Sequence, residues 1–590
     1  MTCFGLAAGA TSASASAGVA GAPGAGVAAP AASAATTGTW GTTQQVSIPT
    51  GPASGGSSFV KSTSCASAGN CADGGSYTDS ANHEQAFVVD ETSGTWGTAE
   101  EVPGTAALDT GNNAAVLSVS CASAGNCAAG GVYTEASSGN LEAFVVNETS
   151  GTWGTAEEVP GTATLNADGD AQVSSVSCTP AGDCAAGGTY EDSAGASQAF
   201  VVNFSGGSWG NAEEVPGTAT LNTGGGAAVQ SVSCPATGTC AAGGSYLDSS
   251  DRFQSFVVNQ NSDGTWGNAE EIPGTATLNV GGLSVVNAVS CTPTTCVAGG
   301  VYAAAANGSS LQAFVVDETG GSWGTAKEVP GTAALNTGGN ATVQSVSCGS
   351  AGDCAAVGSY EETNNDTQAF VVNETSGTWG AAQEVPGTAS LNTGGTAAAD
   401  SVSCPAAGTC AAVGSYKGVT GTQPFVVDEN SGAWDSAEQA PGSATLNTQG
   451  NGAFTTVSCA SAANCAAGGS ASNSAGVVPI VDSETAQAAP TTASYNPDGR
   501  VRVLDTRNGT GGITGAVGAG KSIAVQITGN DGVPTSGVTA VVLNVTATGG
   551  TANSFVTAYP DGTTRPAEGS NLNFTKGETI PNLVIVPVGN

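Results

Sequence analysis

Apolar residues recur along the chain in a fixed order, with a period of about 56 residues. Each copy holds an apolar run that ends in cysteine, a run of small residues that ends in tyrosine, a run around Phe-Val-Val, and a tryptophan segment that ends at Pro-Gly. In the second copy these runs predict four strands: Leu117–Cys121, Cys127–Tyr133, Ala143–Glu148 and Thr152–Val159. No helical period of 3.6 residues stands out, so the pattern predicts an all-β fold.

Tryptophan and cysteine mark the copies with constant spacing. Each of the eight tryptophans is followed 25 residues later by a cysteine, and a second cysteine comes five or six residues after the first. We predict that each pair forms a disulfide across a hairpin, because two thiolates without a nearby histidine are too few ligands for zinc. The predicted pairs are Cys65 with Cys71, Cys121 with Cys127, Cys178 with Cys184, Cys234 with Cys240, Cys291 with Cys296, Cys348 with Cys354, Cys404 with Cys410, and Cys459 with Cys465.

Four antiparallel strands in each of eight copies are typical of an eight-bladed β-propeller. The first copy begins on its tryptophan strand and the last copy ends after its third strand, so we expect the N-terminal tryptophan strand to complete the last blade and close the ring. A linear solenoid is the alternative, and it would need capping repeats. We assign residues 1–39 to an incomplete leader and low-complexity linker, 40–486 to the propeller, 487–494 to a linker, and 495–590 to a separate small β domain.

Charge and cysteine content limit the partners and the location of the protein. Lys and Arg number 10 against 47 Asp and Glu, which gives a formal net charge of -37, and residues 491–590 carry six charges of each sign, so the acidic excess lies on the repeats. An acidic surface repels phosphate backbones, which argues against nucleic acid as a partner. Paired cysteines need an oxidising compartment, so we predict a secreted protein and expect a monomer. Ala15-Ser16-Ala17 resembles a signal-peptidase site, and no apolar run is long enough to span a membrane.

The repeats offer few candidates for catalysis. His83, the only histidine, lies in a variable loop without an evident nucleophile as its partner. Adjacent glutamates such as Glu100 and Glu101 point to opposite faces of a strand and do not meet on one substrate. A sialidase-like site needs several arginines, and the repeats contain only Arg252. We therefore predict no catalytic residue, and we keep as an alternative a polysaccharide-active enzyme, a glycoside hydrolase or lyase, that uses propeller carboxylates.

Two sets of residues are candidates for ligand binding. Short acidic loops place hard oxygen ligands close together and are candidates for calcium; no other cofactor is predicted. The calcium candidates are Asp168, Asp170, Asp248 and Asp251. Tyrosine closes the second strand in seven copies, where it either packs against a neighbouring blade or stacks on a sugar. These tyrosines are Tyr77, Tyr133, Tyr190, Tyr246, Tyr302, Tyr360 and Tyr416.

The function that these observations favour is a non-catalytic binding scaffold outside the cell. Loops from successive blades present several similar sites around one rim, which favours binding of a cell-surface glycan or protein through the summed effect of weak contacts. A purely structural surface element is a further alternative.

The C-terminal residues have a different pattern, with six short motifs in order. They include Arg-Val-Leu-Asp-Thr-Arg at 502–507, Gly-Val-Pro at 532–534 and Asn-Leu-Val-Ile-Val-Pro at 582–587. The succession resembles an accessory β domain at the ends of actinobacterial secreted proteins, including cell-wall hydrolases, and the repeats resemble actinobacterial repeat propellers. The resemblance implies a small β-sandwich-like domain and an extracellular or wall-associated home, with no reaction attached. That family continues beyond the point where this sequence ends, so we expect a truncated domain.

Overall fold

The structure, a computed structural model, describes residues 3–8, 38–48, 55–486, 501–530, 533–535, 538–561, 563, 565–566 and 570–588. Its backbone contacts divide the chain into two compact units, one of residues 34–489 and one that combines residues 1–33 with 490–590. Among the described residues, no helix is long and apolar enough to cross a membrane.

The larger unit confirms the predicted all-β fold, because each copy of the repeat supplies one set of antiparallel strands. A short parallel pairing of Gly476 and Val477 with Gly56 and Ser57 joins the sets of the last and first copies into one sheet. Eight inner strands each pair with a second strand of the same sheet. The inner strands are Gly56–Ser67, Ala115–Ser123, Gln172–Cys178, Ala228–Ser233, Ser284–Cys291, Thr342–Ser350, Ala397–Ala406 and Ala453–Ser461. The second strands are Asn70–Thr78, Asn126–Thr134, Cys184–Glu191, Ala241–Leu247, Thr295–Ala303, Asp353–Glu361, Thr409–Gly418 and Asn464–Asn473.

The second strand of each sheet is buried on both faces, which explains its run of Ala and Gly. It pairs on its other side with a third strand that carries the Phe-Val-Val run or its equivalent. The third strands are Glu84–Thr92, Leu141–Asn147, Ser197–Ser205, Phe253–Asn259, Leu311–Thr319, Thr367–Thr375, Gly421–Asn430 and Gly476–Ala486.

The fourth strand was predicted to be continuous over Thr152–Val159, and this prediction is wrong. In every sheet the outer edge consists of short pieces that pair with the third strand and are separated by a non-pairing segment. The pieces are Thr95–Trp96 with Glu100–Glu101, Glu157–Glu158, Ser208–Trp209 with Glu213–Glu214, Glu270–Glu271, Ser322–Trp323 with Lys327–Glu328, Thr378–Trp379 with Gln383–Glu384, and Ala433–Trp434 with Glu438–Gln439. Trp153 and Trp266 make single bridges to their third strands.

One-turn helices follow the outer pieces, and the sequence pattern did not predict them because four residues are too few to show a helical period. Each begins after a Pro-Gly whose glycine has a positive φ, as in Gly104 at 93°. The helices described are Thr105–Leu108, Thr162–Leu165, Thr218–Leu221, Thr275–Leu278, Thr332–Leu335, Thr388–Leu391 and Ser443–Leu446.

The sheets close into a ring. The inner strands of successive sheets lie side by side, and the inner strand of the last sheet contacts that of the first. The outer edge of the last sheet is supplied by the N-terminal segment, whose strands Gly38–Trp40 and Gln44–Gln45 pair with Gly476–Ala486. This pairing is the one expected from the offset of the repeats. We call residues 38–48 the closing segment.

Serine hydroxyls join the blades at the inner radius. In each blade the serine that precedes the first cysteine accepts a hydrogen bond from the cysteine N–H of the next blade, at 2.9–3.0 Å, and the eight bonds complete the circle. Ser64, for example, accepts from Cys121, and Ser458 of the last blade accepts from Cys65 of the first. The Ser-Cys motif is therefore a contact between blades as well as a disulfide position.

Tryptophans join the blades at the outer radius. Each indole N–H donates to a side chain near the end of the third strand of the preceding blade, at 2.7–3.3 Å. The acceptor is Asp or Asn in seven blades and Ser483 in the eighth. The pairs are Trp96 with Ser483, Trp153 with Asp90, Trp209 with Asn147, Trp266 with Asn203, Trp323 with Asn259, Trp379 with Asp317, Trp434 with Asn373, and Trp40 with Asp428.

The smaller unit contains two sheets. One has the strand order Lys521–Gln526, Cys3–Ala8, Ser554–Pro560, Leu572–Phe574, and the other pairs Ala540–Thr548 with Thr579–Pro587. Val525 of the first sheet and Val584 and Val586 of the second belong to one apolar core. A segment of the predicted leader, Cys3–Ala8, thus forms a strand of this unit; the predicted cleavage site and the linker 487–494 lie outside the described residues.

The 502–507 motif of the smaller unit surrounds one carboxylate with two guanidinium groups. Asp505 lies 2.6 Å from Arg502 Nη1 and 2.6 Å from Arg507 Nη2, and it also accepts the backbone N–H of Arg507. Hydrogen bonds from Arg507 and then Arg502 hold the pKa of Asp505 well below its usual range.

The contact between the last and first blades contains polar residues where the other contacts are apolar. Asp73 is fully buried, and neither of its carboxyl oxygens has a hydrogen-bond partner among the described residues. The other seven copies have alanine at this position, namely Ala129, Ala186, Ala242, Ala298, Ala356, Ala412 and Ala467. Burial raises the pKa of Asp73 well above its usual value; the nearby Thr63 hydroxyl opposes the shift, and Glu91 and Asp90 add to it.

We predict that Asp73→Ala stabilises the propeller. Removing a buried polar group that lacks a partner is expected to raise the free energy of unfolding by about 1–3 kcal/mol. The pKa of Asp73 is raised in the folded state, so the aspartate destabilises more as pH rises, and the gain should be larger at pH 8 than at pH 5. Denaturant unfolding of the full chain measures both values. Glu157→Ala, at an exposed position, is the control and should change little; a loss of stability in Asp73→Ala would contradict the prediction.

Candidate functional site: the bulge residues of the central channel

Every inner strand contains a β-bulge at the same position, four residues before its first cysteine. In the second blade Val116 pairs with Gly131 and Ser118 with Gly130, which leaves Leu117 without a partner in the ladder. The glycine is required, because a Cβ on Gly131 would lie 1.9 Å from the carbonyl oxygen of Ala115. We call the unpaired residues the bulge residues. They are Lys61, Leu117, Ser174, Gln230, Asn287, Gln344, Asp400 and Thr455.

The bulge residues line the central channel. They lie in the middle of the innermost strands, yet all are exposed or half-buried, while the residues that flank each bulge and point towards the preceding blade are buried. Two of them reach along the wall to the next inner strand: Asn287 Nδ2 donates to the carbonyl of Val343 at 2.7 Å, and the Thr455 hydroxyl donates to that of Val60 at 3.3 Å. The inner strands of a propeller surround its channel, and we infer from the position and exposure of these side chains that they face it.

Among the positions of the inner strand, the bulge position varies most in residue type between the eight copies. Seven blades have Val two residues before the first cysteine, and all eight have Ser one residue before it, whereas the eight bulge residues belong to seven residue types. The hydrophobic pattern does not reveal them, because their neighbours predict an ordinary strand. The signal that could have found them is this one variable position inside an otherwise constant motif.

Asp400 is the carboxyl group of the ring of bulge residues. Burial in the channel wall raises the pKa of Asp400 to about 7. Near neutral pH it can therefore either accept or donate a hydrogen bond. Lys61 is the ring's basic residue and is exposed.

An exposed aromatic ring lies beside the bulge of the first blade. Phe59 is 37% exposed and stands two residues before Lys61 on the same inner strand. The other seven copies have no aromatic residue there; the equivalents are Ala115, Gln172, Ala228, Val285, Thr342, Ala398 and Ala453.

The cysteines lie where the sequence analysis placed them. All eight predicted disulfides are formed, and each joins an inner strand to its second strand at the hairpin. A disulfide-bonded repeat of this kind is typical of an extracellular protein.

The tyrosines are buried, with 2–4% of their surface exposed. Tyr133 packs against Ala72, Ala86 and Val88 of the preceding blade, and its equivalents occupy the same place in their blades. The packing interpretation fits this geometry. The stacking interpretation does not, because the ring faces of Tyr77, Tyr133, Tyr190, Tyr246, Tyr302, Tyr360 and Tyr416 are not open to a ligand.

The calcium candidates do not come together. Asp248 closes its own loop, because its carboxylate accepts the N–H groups of Ser250 at 2.7 Å and Arg252 at 3.1 Å and the side-chain amide of Gln254 at 3.0 Å. Burial acts to raise the pKa of Asp248, but these hydrogen bonds outweigh it and the pKa is lowered. No group of three His, Cys, Asp or Glu side chains suited to a metal occurs in the described part of the chain, Asp168, Asp170 and Asp251 included.

The paired glutamates and the histidine do not form an acid-base site. In the pair Glu157 and Glu158 the first is exposed and the second is half-buried, with the hydroxyl of Thr162 3.2 Å from its carboxylate, so the two point to opposite faces as expected. His83 lies in its loop with Nδ1 3.5 Å from Asp79 Oδ2.

Three carboxyl groups surround the closing segment. The Trp40 indole N–H donates to both carboxyl oxygens of Asp428 at 3.2 Å, the Thr43 hydroxyl lies 3.0 Å from Asp482 Oδ2, and Glu484 pairs with Trp40 across the ladder. Burial raises the pKa of Asp428 to about 6, of Asp482 to about 7 and of Glu484 to about 8, and Asp428 adds to the shift of Glu484.

The charged groups that act on these three carboxyls are also acids. Asp435 and Glu438, both of the seventh blade, raise the pKa of Asp428, and Glu438 raises that of Asp482. Protonation is therefore what neutralises this contact.

We predict that ring closure weakens as pH rises from 5 to 8.5. Acids whose pKa is raised in the folded state stabilise it fully below their unfolded pKa, near 4, and lose that contribution as pH rises through the folded pKa. The Tm of the full chain should fall over this window. In the double variant Asp428→Asn with Glu484→Gln the decrease of Tm with pH should be smaller. Both substitutions create residues that other blades have at the same positions, Asn203 and Gln260. An unchanged pH profile in this variant would contradict the role of these two groups.

Comparison with known proteins finds solved structures of similar fold, all at low sequence identity. No protein-family model matches the sequence and no curated protein matches it, so the resemblance to actinobacterial accessory domains receives no support. Among solved structures, an ulvan lyase of polysaccharide lyase family PL25 is 10% identical, with a TM-score of 0.37 and coverage of 74% of this chain and 92% of that one. A protein of unknown function from Dyadobacter fermentans is 10% identical, with a TM-score of 0.34 and coverage of 75% and 98%. The Hadza microbial sialidase Hz136 is 11% identical, with a TM-score of 0.31 and coverage of 56% and 66%. Likeness at this level carries no argument about activity.

Proposed function

We propose that the protein is an extracellular, non-catalytic binding scaffold and that its ligand is a glycan. The observation that supports this proposal is how the repeat uses its recurrent polar side chains. The serines of the inner strands and the Asp or Asn residues of the third strands bind the next blade, and the loop carboxylate of Asp248 binds its own loop. The result is a ring whose surfaces are held in one arrangement before any ligand arrives.

A preorganised surface favours binding because less conformational entropy is lost when the complex forms. Eight similar blades also repeat the same shallow surface around one rim, so a ligand with repeating units can make the same weak contact several times. Polysaccharides have repeating units and display hydroxyl groups, which suits the amide and hydroxyl side chains that the propeller leaves exposed. Attachment to a cell wall would place such a scaffold beside its ligand.

A polysaccharide-active enzyme is the second candidate, and Asp400 is the observation that favours it. A carboxyl group with a pKa raised to about 7 is suited to act as a general acid at neutral pH. A glycosidase uses two carboxyl groups on either side of the scissile bond. Asp400 is the only acid among the eight bulge residues, so this ring does not supply the pair.

We expect the full chain to bind at least one polysaccharide on a glycan array or in a pull-down with purified cell walls, equally with and without calcium. Loss of all binding on chelation would show that the acidic loops act through calcium. The bound glycans are then incubated with the protein and assayed for new reducing ends and unsaturated products. Product formation that is lost in Asp400→Asn would contradict the scaffold and favour the enzyme; failure to bind any glycan would contradict a glycan ligand.

A further inference from the structure

The ring of bulge residues has two unlike sides. The third to eighth blades contribute six consecutive side chains that can form hydrogen bonds, and the first and second blades contribute Lys61, the apolar Leu117 and the exposed ring of Phe59. The six polar residues are Ser174, Gln230, Asn287, Gln344, Asp400 and Thr455. Near-identical blades are expected to give a uniform channel, so the difference between the two sides of the ring is a departure from the repeat.

Packing does not explain most of these residue choices. Asn287 and Thr455 hydrogen-bond to the next inner strand, whereas Lys61, Gln230 and Gln344 are exposed and unpaired in the ladder. Phe59 replaces residues that are small, branched or polar in every other copy. Exposing an aromatic ring on an inner strand costs the hydrophobic stabilisation that its burial would give. Bulges re-aim a side chain, and they are over-represented next to functional sites.

We propose that the bulge residues together with Phe59 form a glycan-binding site inside the channel, and this proposal rests on the glycan-binding function above. The pyranose ring has an apolar face of C–H groups and an edge of hydroxyl groups. Phe59 and Leu117 suit the apolar face. The exposed amides of Gln230 and Gln344 suit the hydroxyl groups, because an amide offers both a donor and an acceptor.

The charges of the ring define the class of glycan. Lys61 and Asp400 are its only ionisable side chains, so the ring has a formal charge of zero when both are ionised, within a protein whose net charge is -37. A polyanionic glycan would be repelled by the acidic propeller and would meet a single lysine in the channel. The ligand is therefore a neutral glycan, and one chain occupies the channel of each ring.

The test is isothermal titration calorimetry on the full chain. The probes are cello-, xylo-, arabino- and N-acetylchito-oligosaccharides, with oligogalacturonate as the anionic comparison. We expect a neutral probe to bind with one ligand per chain. Phe59→Ala and Gln344→Ser should each weaken that binding about tenfold, which corresponds to the loss of a contact of about 1.4 kcal/mol. Both substitutions create residues that other copies have at the same position, Ala115 and Ser174, so the fold should tolerate them.

The matched control variants remove the same type of side chain at a position outside the channel. Phe253→Ala removes an exposed phenylalanine at the start of a third strand, and Gln383→Ser removes an exposed glutamine on an outer strand of the same blade as Gln344. Both should leave the affinity unchanged, and Tm values confirm that all four variants are folded.

The possible outcomes separate the two proposals. Binding that is weakened by Phe253→Ala or Gln383→Ser but not by the channel variants overturns the channel site and leaves the glycan-binding function standing. Several ligands per chain, or tighter binding of oligogalacturonate, overturns the single neutral ligand. If neither the array, the cell walls nor any probe binds the wild-type chain, both proposals fail.

Discussion

The hydrogen bond from a cysteine N–H to the serine hydroxyl of the preceding blade is the contact on which the ring depends. Each inner strand is the inner edge of its blade, and its outward N–H groups have no partner within that blade. The first inner strand also pairs over two residues with the third strand of the last blade. Unpaired edge groups are costly when shielded from water and invite other strands to pair with them. A hydroxyl supplied by the neighbouring blade satisfies them at 2.9–3.0 Å and sets the spacing of the inner strands, which in turn defines the channel.

At the outer radius the tryptophan side chains connect neighbouring blades. Each indole N–H finds an Asp, Asn or Ser on the preceding blade, and its ring covers the contact between the two sheets. At Asn147 the indole donates to a neutral amide; at Asp428 a buried carboxyl is left beside another acid, Glu484. The blades are thus equivalent in geometry and unequal in electrostatics, and three acids with raised pKa values, Asp428, Asp482 and Glu484, lie together around the closing segment.

Much of this architecture could be predicted from the spacing of Trp and Cys, because those residues make the contacts between blades and therefore cannot shift. The first three strands of each blade, all eight disulfides and the completion of the last blade by Trp40 follow from that spacing. The break in the outer strand and the one-turn helices could not be predicted, since both are too short to show a period.

The candidate site was harder to predict than the fold. The bulge at Leu117 does not alter the hydrophobic pattern, so the sequence predicts ordinary strand positions where the bulge residues lie. The tyrosines were considered for ligand stacking because an aromatic side chain at a strand end fits either environment. Only the packing of Tyr133 against Ala72 and Val88 decides between the two.

The closing segment has a consequence for the order of folding. Trp40 and its acceptor Asp428 are 388 residues apart in sequence, so the first strand of the propeller to be synthesised waits for the seventh and eighth blades. Hairpins with their own disulfides can form locally and early, whereas a contact between distant residues carries a large loop-closure entropy and forms late. Until the closing segment pairs with Gly476–Ala486, the outer edge of the eighth blade is unpaired. During synthesis the blades therefore form an open ring. In the last step of folding, the closing segment pairs either with the eighth blade of its own chain or with the eighth blade of a second chain, which would give a domain-swapped dimer.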